Sequence, residues 1–408
     1  MVRVAATAGI LALSGCSLLL SDDLSGGSQR DATIDASTAD GAGDAVANDG
    51  GATDGETPIQ GRPVGPLEVT VVPDSSVTAT VKGFFQLEFT PVSGWKPERV
   101  VDLGLPGNPN LAPSMFEPLF ASVEGTTVGT STDVDAYFFD VLDETPVRFA
   151  MTTFAHHPLP SGADAKTMVR WWIYASGRVA IDTKILNDGT SDLALPAGWI
   201  HSSFSVDRTR EWNVVQGSED RSVTFFLQEP SGLGMSALLH EPDGNIGSRS
   251  AHERHWSGSS LTLAPTQSLS RRSELHLGVI PDEAAERVAD ARAPELGVLS
   301  GLARTEGGFD RRSGAYRMSV VENAAVSTFE LTPVRARAYP AFEIGGLNAP
   351  NGWRLTLDGQ TVASSASPVT PLGVARYEAD SRRLLFVYLG TIAANATTEK
   401  RTFTLERL

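Results

Sequence analysis

Short runs of alternating apolar and polar residues make up the chain from about residue 66 onward, and Gly, Pro, Asn and Asp separate them. The first set of runs covers 67–72, 84–89, 136–141, 147–153, 178–186, 222–228 and 273–279. A period of two is typical of strands with one buried face, and turn residues at this spacing are typical of a sandwich or barrel. The pattern therefore predicts a mainly β protein.

A second set of strand-like runs covers 314–321, 328–334, 353–357 and 384–389, and Asp358-Gly359 favours a tight hairpin turn. Between the two sets, PDEAAERVADAR at 281–292 has Pro and acidic residues at its start and Arg near its end, which predicts one short connecting helix. We therefore expect a large, supersandwich-like β-sandwich over 63–293, a linker over 294–306, and a smaller immunoglobulin-like β-sandwich over 307–408.

The stretch 168–186, MVRWWIYASGRVAIDTKIL, has the pattern of a β-hairpin. A three-residue loop, Ala175-Ser176-Gly177, with Gly177 in the left-handed conformation pairs Tyr174 with Arg178. A two-residue loop would mix apolar and polar residues on both faces, so we predict the three-residue register. One face then carries only apolar side chains, those of Val169, Trp171, Ile173, Val179 and Ile181.

The other face of this hairpin joins two aromatic rings to two guanidinium groups and is the first candidate binding surface. It carries Trp172 beside Ala180, Tyr174 beside Arg178, and Arg170 opposite Asp182. Aromatic planes stack on sugar rings and arginine binds carboxylates in a bidentate manner, so this face suits an acidic polysaccharide. The alternative, which aromatic residues on strands favour, is that a second sheet covers the rings and the arginines stack on them.

Tyr174-x-x-Gly177-Arg178-Val179-x-Ile181, followed by Asn187-Asp188-Gly189, resembles the central hairpin of galactose-mutarotase-like supersandwiches. Polysaccharide lyases, epimerases and some glycosidases have this fold. The likeness is confined to this hairpin and to the layout of a large β domain before a smaller one. It implies a broad twisted sandwich with a carbohydrate-facing concave sheet. It does not imply catalysis, because the sequence does not allow the His and Glu pair of the mutarotases to be placed on this chain residue by residue.

His252-Glu253-Arg254-His255-Trp256 is the densest polar cluster of the sequence. It is not an H-E-x-x-H zinc motif, because the fourth residue after His252 is Trp256. As a strand it places His252, Arg254 and Trp256 on one face and the other two on the opposite face. We take those three as candidate ligand-binding residues. A solvated or packed strand is the favoured alternative.

Two other groups of titratable residues have spacings that bear on catalysis or metal binding. Glu274 and His276 share one face of a predicted strand, where burial would suit them to general acid/base chemistry. We favour a surface ion pair flanked by Arg271 and Arg272. The adjacent His156-His157 point to opposite faces of a strand and would need distant residues to hold a metal. We therefore predict no metal site and no cofactor.

The first sixteen residues, MVRVAATAGILALSGC, have one basic residue, an apolar run and small residues before Cys16, as in a secretory signal. Leu13-Ser14-Gly15-Cys16 resembles the lipobox of bacterial lipoproteins, which implies export, acylation of Cys16 and a membrane anchor. Ser17 stands where a retention-type Asp would be, which implies sorting to the outer membrane, with the protein on its periplasmic or cell-surface side. The alternative is an uncleaved anchor, because Leu18–Leu20 extend the uncharged stretch to about 17 residues.

The composition of the chain predicts a spacer after the signal and argues against several classes of function. Residues 17–62 contain nine acidic residues, two Arg and no aromatic residue, so we predict a disordered acidic stalk. The stalk carries −7 of the net charge of −16, and with +1 in the signal this leaves −10 for residues 63–408. The acidic balance argues against nucleic-acid binding. Cys16 is the only cysteine, which excludes an intramolecular disulfide and a cysteine-rich metal site.

These observations lead to three hypotheses. The first is a non-enzymatic, surface-anchored lipoprotein that binds carbohydrate or contributes to cell-envelope interactions. The second is a polysaccharide-processing enzyme, an epimerase or lyase, and the third is a structural envelope protein with no small ligand. Catalysis needs a compact His/Glu/Arg or Tyr constellation within hydrogen-bond reach, whereas binding needs only aromatic and scattered polar groups. The sequence leaves the ligand and the oligomeric state open.

Overall fold

The computed structural model describes residues 65–112, 116–117, 120–129, 137–216, 222–227, 234–240, 245–278, 295–321, 324–332, 337–392 and 401–408. Nearly all regular structure in these ranges is β-strand, and Pro91–Ser93 forms a short 3₁₀ helix. The mainly β prediction is therefore confirmed. The signal with Cys16, the stalk at 17–62 and the helix predicted at 281–292 lie outside these residues. No helix in the ranges that are described is long and apolar enough to cross a membrane.

The strands before residue 293 form four sheets. A four-stranded antiparallel sheet consists of β1 (Glu68–Val72), β2 (Ser76–Val81), β3 (Phe85–Phe89) and β4 (Pro97–Asp102). A six-stranded sheet has the order β17 (Asn245–Ser250), β18 (Glu253–Ser257), β13 (Ile200–Ser205), β6 (Phe120–Val123), β7 (Thr126–Gly129), with β5 (Phe116–Glu117) also on β13. Strands β12 (Leu193–Leu195) and β19 (Leu261–Leu263) form a separate pair.

The fourth of these sheets, the central sheet, is eight-stranded and antiparallel. Its spatial order is β14 (Trp212–Gln216), β15 (Ser222–Leu227), β16 (Met235–Leu239), β20 (Ser268–Leu277), β11 (Arg178–Asn187), β10 (Asp164–Tyr174), β9 (Arg148–Pro158), β8 (Tyr137–Glu144). Strand β20 thus lies between β11 and β16, far from both edges of the sheet.

The strands after residue 293 form a second sandwich, the C-terminal block. One sheet has the order β21 (Glu295–Ser300), β24 (Val326–Thr332), β33 (Arg401–Arg407), β27 (Trp353–Leu357), β28 (Gln360–Ser364). The other has the order β22 (Leu302–Asp310), β23 (Ala315–Val320), β26 (Ala341–Gly345), β31 (Arg383–Tyr388), β30 (Gly373–Glu378), β29 (Val369–Thr370), with β23 and β26 parallel. Strands β25 (Arg337–Ala338) and β32 (Thr391–Ile392) pair separately.

The eleven predicted strands all overlap strands of the structure, but the linker expected at 294–306 does not exist as a linker. Most of it lies in β21 and β22, because β21 pairs with β24 and buries Leu296, and β22 pairs with β23 and buries Leu302. Pairing with strands that follow this segment, β23 next along the chain and β24 after it, orders these residues. The predicted Asp358-Gly359 turn is confirmed, with φ values of 48° and 84° and Leu357 paired with Gln360.

The predicted register of the β10–β11 hairpin is confirmed. Gly177 has a φ of 78°, and its N–H donates to the carbonyl oxygen of Tyr174 at 2.9 Å. The pairs are Ile173 with Val179, Trp172 with Ala180, Trp171 with Ile181, and Arg170 with Asp182. The apolar and polar faces are therefore separated as the sequence pattern requires.

The apolar face of the central sheet packs on the two neighbouring sheets. The ring of Trp171 lies 5.4 Å from that of Phe89 in β3, and the ring of Phe225 lies 5.3 Å from that of Phe204 in β13. Both contacts are edge-on, the arrangement that aromatic quadrupoles favour. This face forms the apolar core of the large sandwich.

The opposite face of the central sheet is in part covered by the C-terminal block. Apolar residues of that block belong to the same buried cluster as Trp172 and Ala180, namely Ala315, Ala341, Val374, Leu385, Val387 and Leu389. A second cluster, rich in phenylalanine, fills the C-terminal sandwich itself, where the rings of Phe342 and Phe386 stack at 4.5 Å. The described residues from 65 to 408 accordingly belong to one compact unit.

Candidate functional site

The face of the central sheet that turns toward the C-terminal block, the polar face, carries rows of titratable side chains. Antiparallel pairing places Arg148, Tyr174, Arg178 and His276 side by side on four neighbouring strands. Because successive residues of a strand point to opposite faces, the groups two positions along each strand share this face as well. Glu274 is one of them.

Glu274 is the centre of a buried group that we call the sealed cluster, consisting of Arg178, Glu274, His240 and His276. The Arg178 Nη1 donates to Oε2 of Glu274 at 2.5 Å, and the His276 Nε2 lies 3.0 Å from the same oxygen. The His240 Nε2 lies 3.2 Å from the other oxygen, Oε1. The exposed fraction of the Glu274 side chain is 0%, and that of Arg178 is 1%. A compact His/Glu/Arg constellation is therefore present in the fold.

The expectation of a surface ion pair at Glu274 and His276 is wrong. Both residues are buried, because β20 lies in the interior of the central sheet and its polar face is covered. Arg271 and Arg272, the expected flanking residues, are partly exposed and lie in the first half of β20, whereas Glu274 and His276 lie in its buried second half. Burial thus changes along β20 within a few residues.

The cover over the sealed cluster is the turn between β22 and β23. The Tyr174 hydroxyl donates to the carbonyl oxygen of Ser313 at 2.7 Å. A Cβ atom at Gly314 would lie 3.0 Å from the Cβ of Ala180 and 3.4 Å from Oε1 of Glu274. Only a residue without a side chain allows the backbone to approach this closely. The turn leaves no space for a substrate beside the Glu274 carboxylate.

A second buried ion network joins the two sandwiches at the edge of the same face. Arg148 donates to Asp143 through Nε at 3.0 Å and to Glu343 of the C-terminal block through Nη1 at 3.1 Å. Arg383 of that block reaches the other oxygen of Asp143 at 3.2 Å. Burial disfavours the charge of Arg148, but Tyr174, Asp143 and Glu343 together outweigh it and raise the pKa of Arg148 above its ordinary value. These contacts bind the cover to the sheet.

Three of the four hairpin residues predicted to bind ligand lie beneath this cover. Trp172, Tyr174 and Arg178 are 8%, 2% and 1% exposed, respectively. Burial raises the pKa of Tyr174, which therefore remains a neutral hydrogen-bond donor. The structure brings the three residues together with the C-terminal block, as in the alternative of a covering sheet, and offers none of them to a large ligand. Arg170 is partly exposed.

The uncovered part of the polar face holds a group of cations that we call the basic patch, consisting of Arg170, Lys184, Arg272 and Arg312. Arg170 and Arg272 flank Asp182 on the two strands beside it, and Lys184 follows two positions along β11. The carboxylate of Asp182 is buried and lies 3.8 Å from the Nε of Arg272. Among the described residues, Arg170, Lys184 and Arg312 have no carboxylate within salt-bridge distance.

The pKa of Lys184 shows how the charges of the basic patch act on one another. Its pKa is lowered, first by partial burial and then by the positive charge of Arg170, with Arg312 acting in the same direction and Asp182 opposing it. Like charges held together in a partly dry site disfavour each other's charged form. An anion placed here would relieve that repulsion.

The candidate residues of the 252–256 cluster have structural partners. Trp256 is 1% exposed and belongs to the core. Arg254 donates to the Ser250 carbonyl at 3.0 Å, and its guanidinium carbon lies 5.9 Å from the ring centroid of Phe225. His252 is partly exposed. The structure therefore places these three residues in a packed edge region of the six-stranded sheet and not beside the basic patch on β10 and β11.

No family model matches this sequence, and no curated protein matches it. Among solved structures, a polysaccharide lyase is similar over 84% of this chain and 46% of its own length, with 9% identity and a TM-score of 0.33. The galactose 1-epimerase of Lactobacillus acidophilus matches 52% of this chain and 98% of its own (8% identity, TM-score 0.31). The heparan sulfate lyase of Pedobacter heparinus is similar over 63% of this chain and 38% of its own length, with 10% identity and a TM-score of 0.31. These likenesses assign neither a family nor an activity.

The ion pair of the sealed cluster has a measurable energetic consequence. We predict that Arg178→Met lowers the free energy of unfolding by about 3–5 kcal/mol, because it leaves the Glu274 charge buried without its cation. The double variant Arg178→Met/Glu274→Leu should lose less than this single variant, since both charges are then gone. Urea unfolding measures both. Arg354→Met, which breaks the exposed pair with Glu406, is the matched control and should lose at most about 1 kcal/mol. Equal losses at Arg178 and Arg354 would contradict the burial of Glu274.

The lowered pKa of Lys184 predicts a gain in stability when its charge is removed. A lysine whose pKa is lower in the folded than in the unfolded state destabilises the fold fully below the folded-state pKa. We therefore expect Lys184→Gln to raise the melting temperature at pH 7, with the gain disappearing as the pH rises past the ordinary lysine pKa. Calorimetry of both proteins between pH 7 and 11 tests this. A lower melting temperature for the variant at pH 7 would refute it.

Proposed function

We propose that this protein is a lipid-anchored envelope protein that binds acidic polysaccharide at the basic patch and is not an enzyme. The observation that carries the proposal is the division of the polar face into a sealed part and an open, cationic part. Of the residues expected from the sequence to bind ligand, Arg170 is the one that lies in the open part.

The chemistry of the basic patch fits a polyanion. Arg170 and Arg272 lie two strands apart, which corresponds to about 10 Å, and Lys184 lies two residues beyond Asp182 along β11. Arginine binds carboxylate and sulfate groups with parallel hydrogen bonds, and clustered cations attract such a chain over several ångströms. The patch is positive although residues 63–408 carry −10 in total. This local excess argues for selection of an anionic ligand over a neutral one.

The sealed cluster supports a binding role over catalysis. General acid/base chemistry requires the acid and the base to reach the substrate within hydrogen-bond distance. Glu274 is fully buried against Gly314, and its carboxylate oxygens lie within hydrogen-bond distance of Arg178, His240 and His276. For an epimerase or lyase reaction at Glu274, the turn at Ser313 would have to move away from the sheet, and the hydrogen bond from the Tyr174 hydroxyl to the Ser313 carbonyl would have to break.

The anchor in this proposal is the acylated Cys16, followed by the acidic stalk as a solvated spacer. The stalk repels other anionic surfaces and keeps the β unit at a distance from the lipid. Export places the protein in a compartment where polysaccharide is available. A periplasmic and a cell-surface location are both compatible with this arrangement.

The basic patch predicts a preference among polysaccharides. The purified chain should bind polygalacturonate and heparin, and it should not bind dextran, which is neutral. Arg170→Gln/Lys184→Gln should weaken binding at least tenfold, since each hydrogen bond to a charged group contributes about 1.5–3 kcal/mol. Isothermal titration calorimetry at two salt concentrations measures this loss.

The control for this experiment removes the same two charges elsewhere, in Lys82→Gln/Arg376→Gln, which are exposed residues outside the patch. This variant should bind like the original chain. An equal loss in the control would mean that net charge and not the patch determines binding. Failure of the original chain to bind either polyanion would overturn the proposal.

The anchor is tested separately from the ligand. Cys16→Ser should abolish incorporation of a labelled fatty acid and release the protein from the membrane fraction of a bacterial host. Mass spectrometry of the original chain should find a diacylated or triacylated Cys16 as the first residue. An unmodified Met1 or a free Cys16 thiol would contradict lipidation, while leaving the polysaccharide prediction unaffected.

A further inference from the structure

Three metal-ligating side chains meet at the end of the polar face, away from the sealed cluster. His156 lies on β9, Asp164 begins β10, and Asp188 directly follows β11. One ligand atom from each lies within 4.8 Å of the other two. The side chains of His156 and Asp188 are 41% and 44% exposed, so an ion from solvent can reach them.

The spacing of these atoms suits a small tetrahedral cation. Zn²⁺ bonds of about 2.0–2.1 Å to nitrogen and oxygen place neighbouring ligand atoms about 3.3–3.4 Å apart. The Nδ1 of His156 already lies 3.3 Å from Oδ2 of Asp164. The Asp188 carboxylate lies within 4.8 Å of both, and a rotation of this exposed side chain can bring it to the same spacing.

Asp164 supplies an independent observation that points to a cation. Its second oxygen, Oδ1, is shielded from solvent and has no hydrogen-bond donor among the residues that the structure describes. A shielded carboxylate oxygen without a donor is unfavourable. A cation bound through the other oxygen, Oδ2, would place a positive charge on this carboxylate and so reduce the cost of the unpartnered Oδ1.

The backbone that carries the two carboxylates is held in place by Asn187, which is fully buried. Its Oδ1 accepts from the N–H of Asp164 at 3.4 Å and of Gly189 at 3.1 Å. Its Nδ2 donates to the carbonyls of Ser191 and Leu263, both at 2.8 Å. The N–H of Asp188 donates to the carbonyl of Asp164 at 2.8 Å. The site is therefore preorganised on two strand ends.

Two residues next to these three side chains, His157 and Lys166, are not ligands in this arrangement. His157 points to the opposite face, where it is buried, accepts from the N–H of Gly129 at 3.4 Å, and has its pKa lowered by burial. It is therefore not a ligand. Lys166 forms an ion pair with Asp188 and holds a positive charge beside the site. A bound dication would compete with the Lys166 ammonium for the Asp188 carboxylate.

We propose that His156, Asp164 and Asp188 bind one divalent transition-metal ion of the Zn²⁺ type, with a fourth position open to water. One imidazole nitrogen with two carboxylates suits a borderline cation, whereas Ca²⁺ and Mg²⁺ favour sites made of oxygen alone. The site is separated from the basic patch by six residues along β10, about 20 Å from Asp164 to Arg170, and by four residues along β11, about 13 Å from Asp188 to Lys184. It is therefore a separate site from the polysaccharide surface.

The test uses Zn²⁺ alone with the purified chain, without a histidine tag, in isothermal titration calorimetry and in thermal unfolding. The chain should bind one ion and show a higher melting temperature in its presence. His156→Ala and Asp188→Asn should each weaken binding at least tenfold. His252→Ala, which removes another partly exposed histidine, is the matched control and should bind as the original chain does.

Lys166→Met separates a metal site from a simple ion-pair cluster. If the ammonium competes for Asp188, this variant should bind Zn²⁺ several-fold more tightly than the original chain. A cluster that serves only as an ion pair predicts no binding by either protein. Absence of Zn²⁺ binding, or equal binding by the His156→Ala variant, would overturn the proposal. Since no polysaccharide is present, neither result depends on the proposed function.

Discussion

The buried carboxylate of Glu274 is the constraint on which the arrangement of the two sandwiches depends. An ionised carboxylate removed from water costs several kcal/mol unless a cation and hydrogen-bond donors surround it. Its partners are Arg178 at the start of β11, His240 directly after β16, and His276 on β20, the strand of Glu274 itself. The turn at Gly314 then completes the exclusion of water. The sheet register and the contact with the C-terminal block are thus coupled, because a shift in either would leave this charge without its partners.

This coupling divides one sheet face into two parts with different chemistry. Where the C-terminal block covers the face, each described cation of the sealed cluster and the Arg148 network has an acidic partner. Beyond the cover, Arg170 and Lys184 have none among the described residues. The residues best suited to acid/base chemistry are consequently the ones that solvent and substrate do not reach. The residues suited to hold an anion are the ones left open.

Local features of the fold could be predicted from the sequence, and long-range ones could not. The loop of the β10–β11 hairpin follows from Gly177 and from the alternation on each side of it, all within a few residues. The partner of Arg178 is Glu274, which is 96 residues away, and no local pattern identifies β20 as the neighbour of β11. For the same reason the sequence left open whether Trp172 and Tyr174 bind a ligand or are covered by a second sheet. It also led us to expect Glu274 at the surface, and it did not identify His240 or Lys184 as candidates. Leu296 and Leu302 were assigned to a linker because their partner strands, β24 and β23, follow later in the chain.

The basic patch concentrates positive charge on a chain that is acidic overall. The chain contains 49 acidic residues and 33 basic ones, so carboxylates are available in excess to neutralise any surface cation. At the patch, however, the buried Asp182 contacts Arg272, and Lys184 remains beside Arg170 and Arg312 with a lowered pKa. Neighbouring cations repel one another and lower the stability of the folded protein. A loss of stability of this kind is typical of sites that bind a ligand of opposite charge. Among the described residues, Arg148 and Arg178 are paired with carboxylates, whereas Arg170 and Lys184 are not, and the proposed anion site rests on this difference.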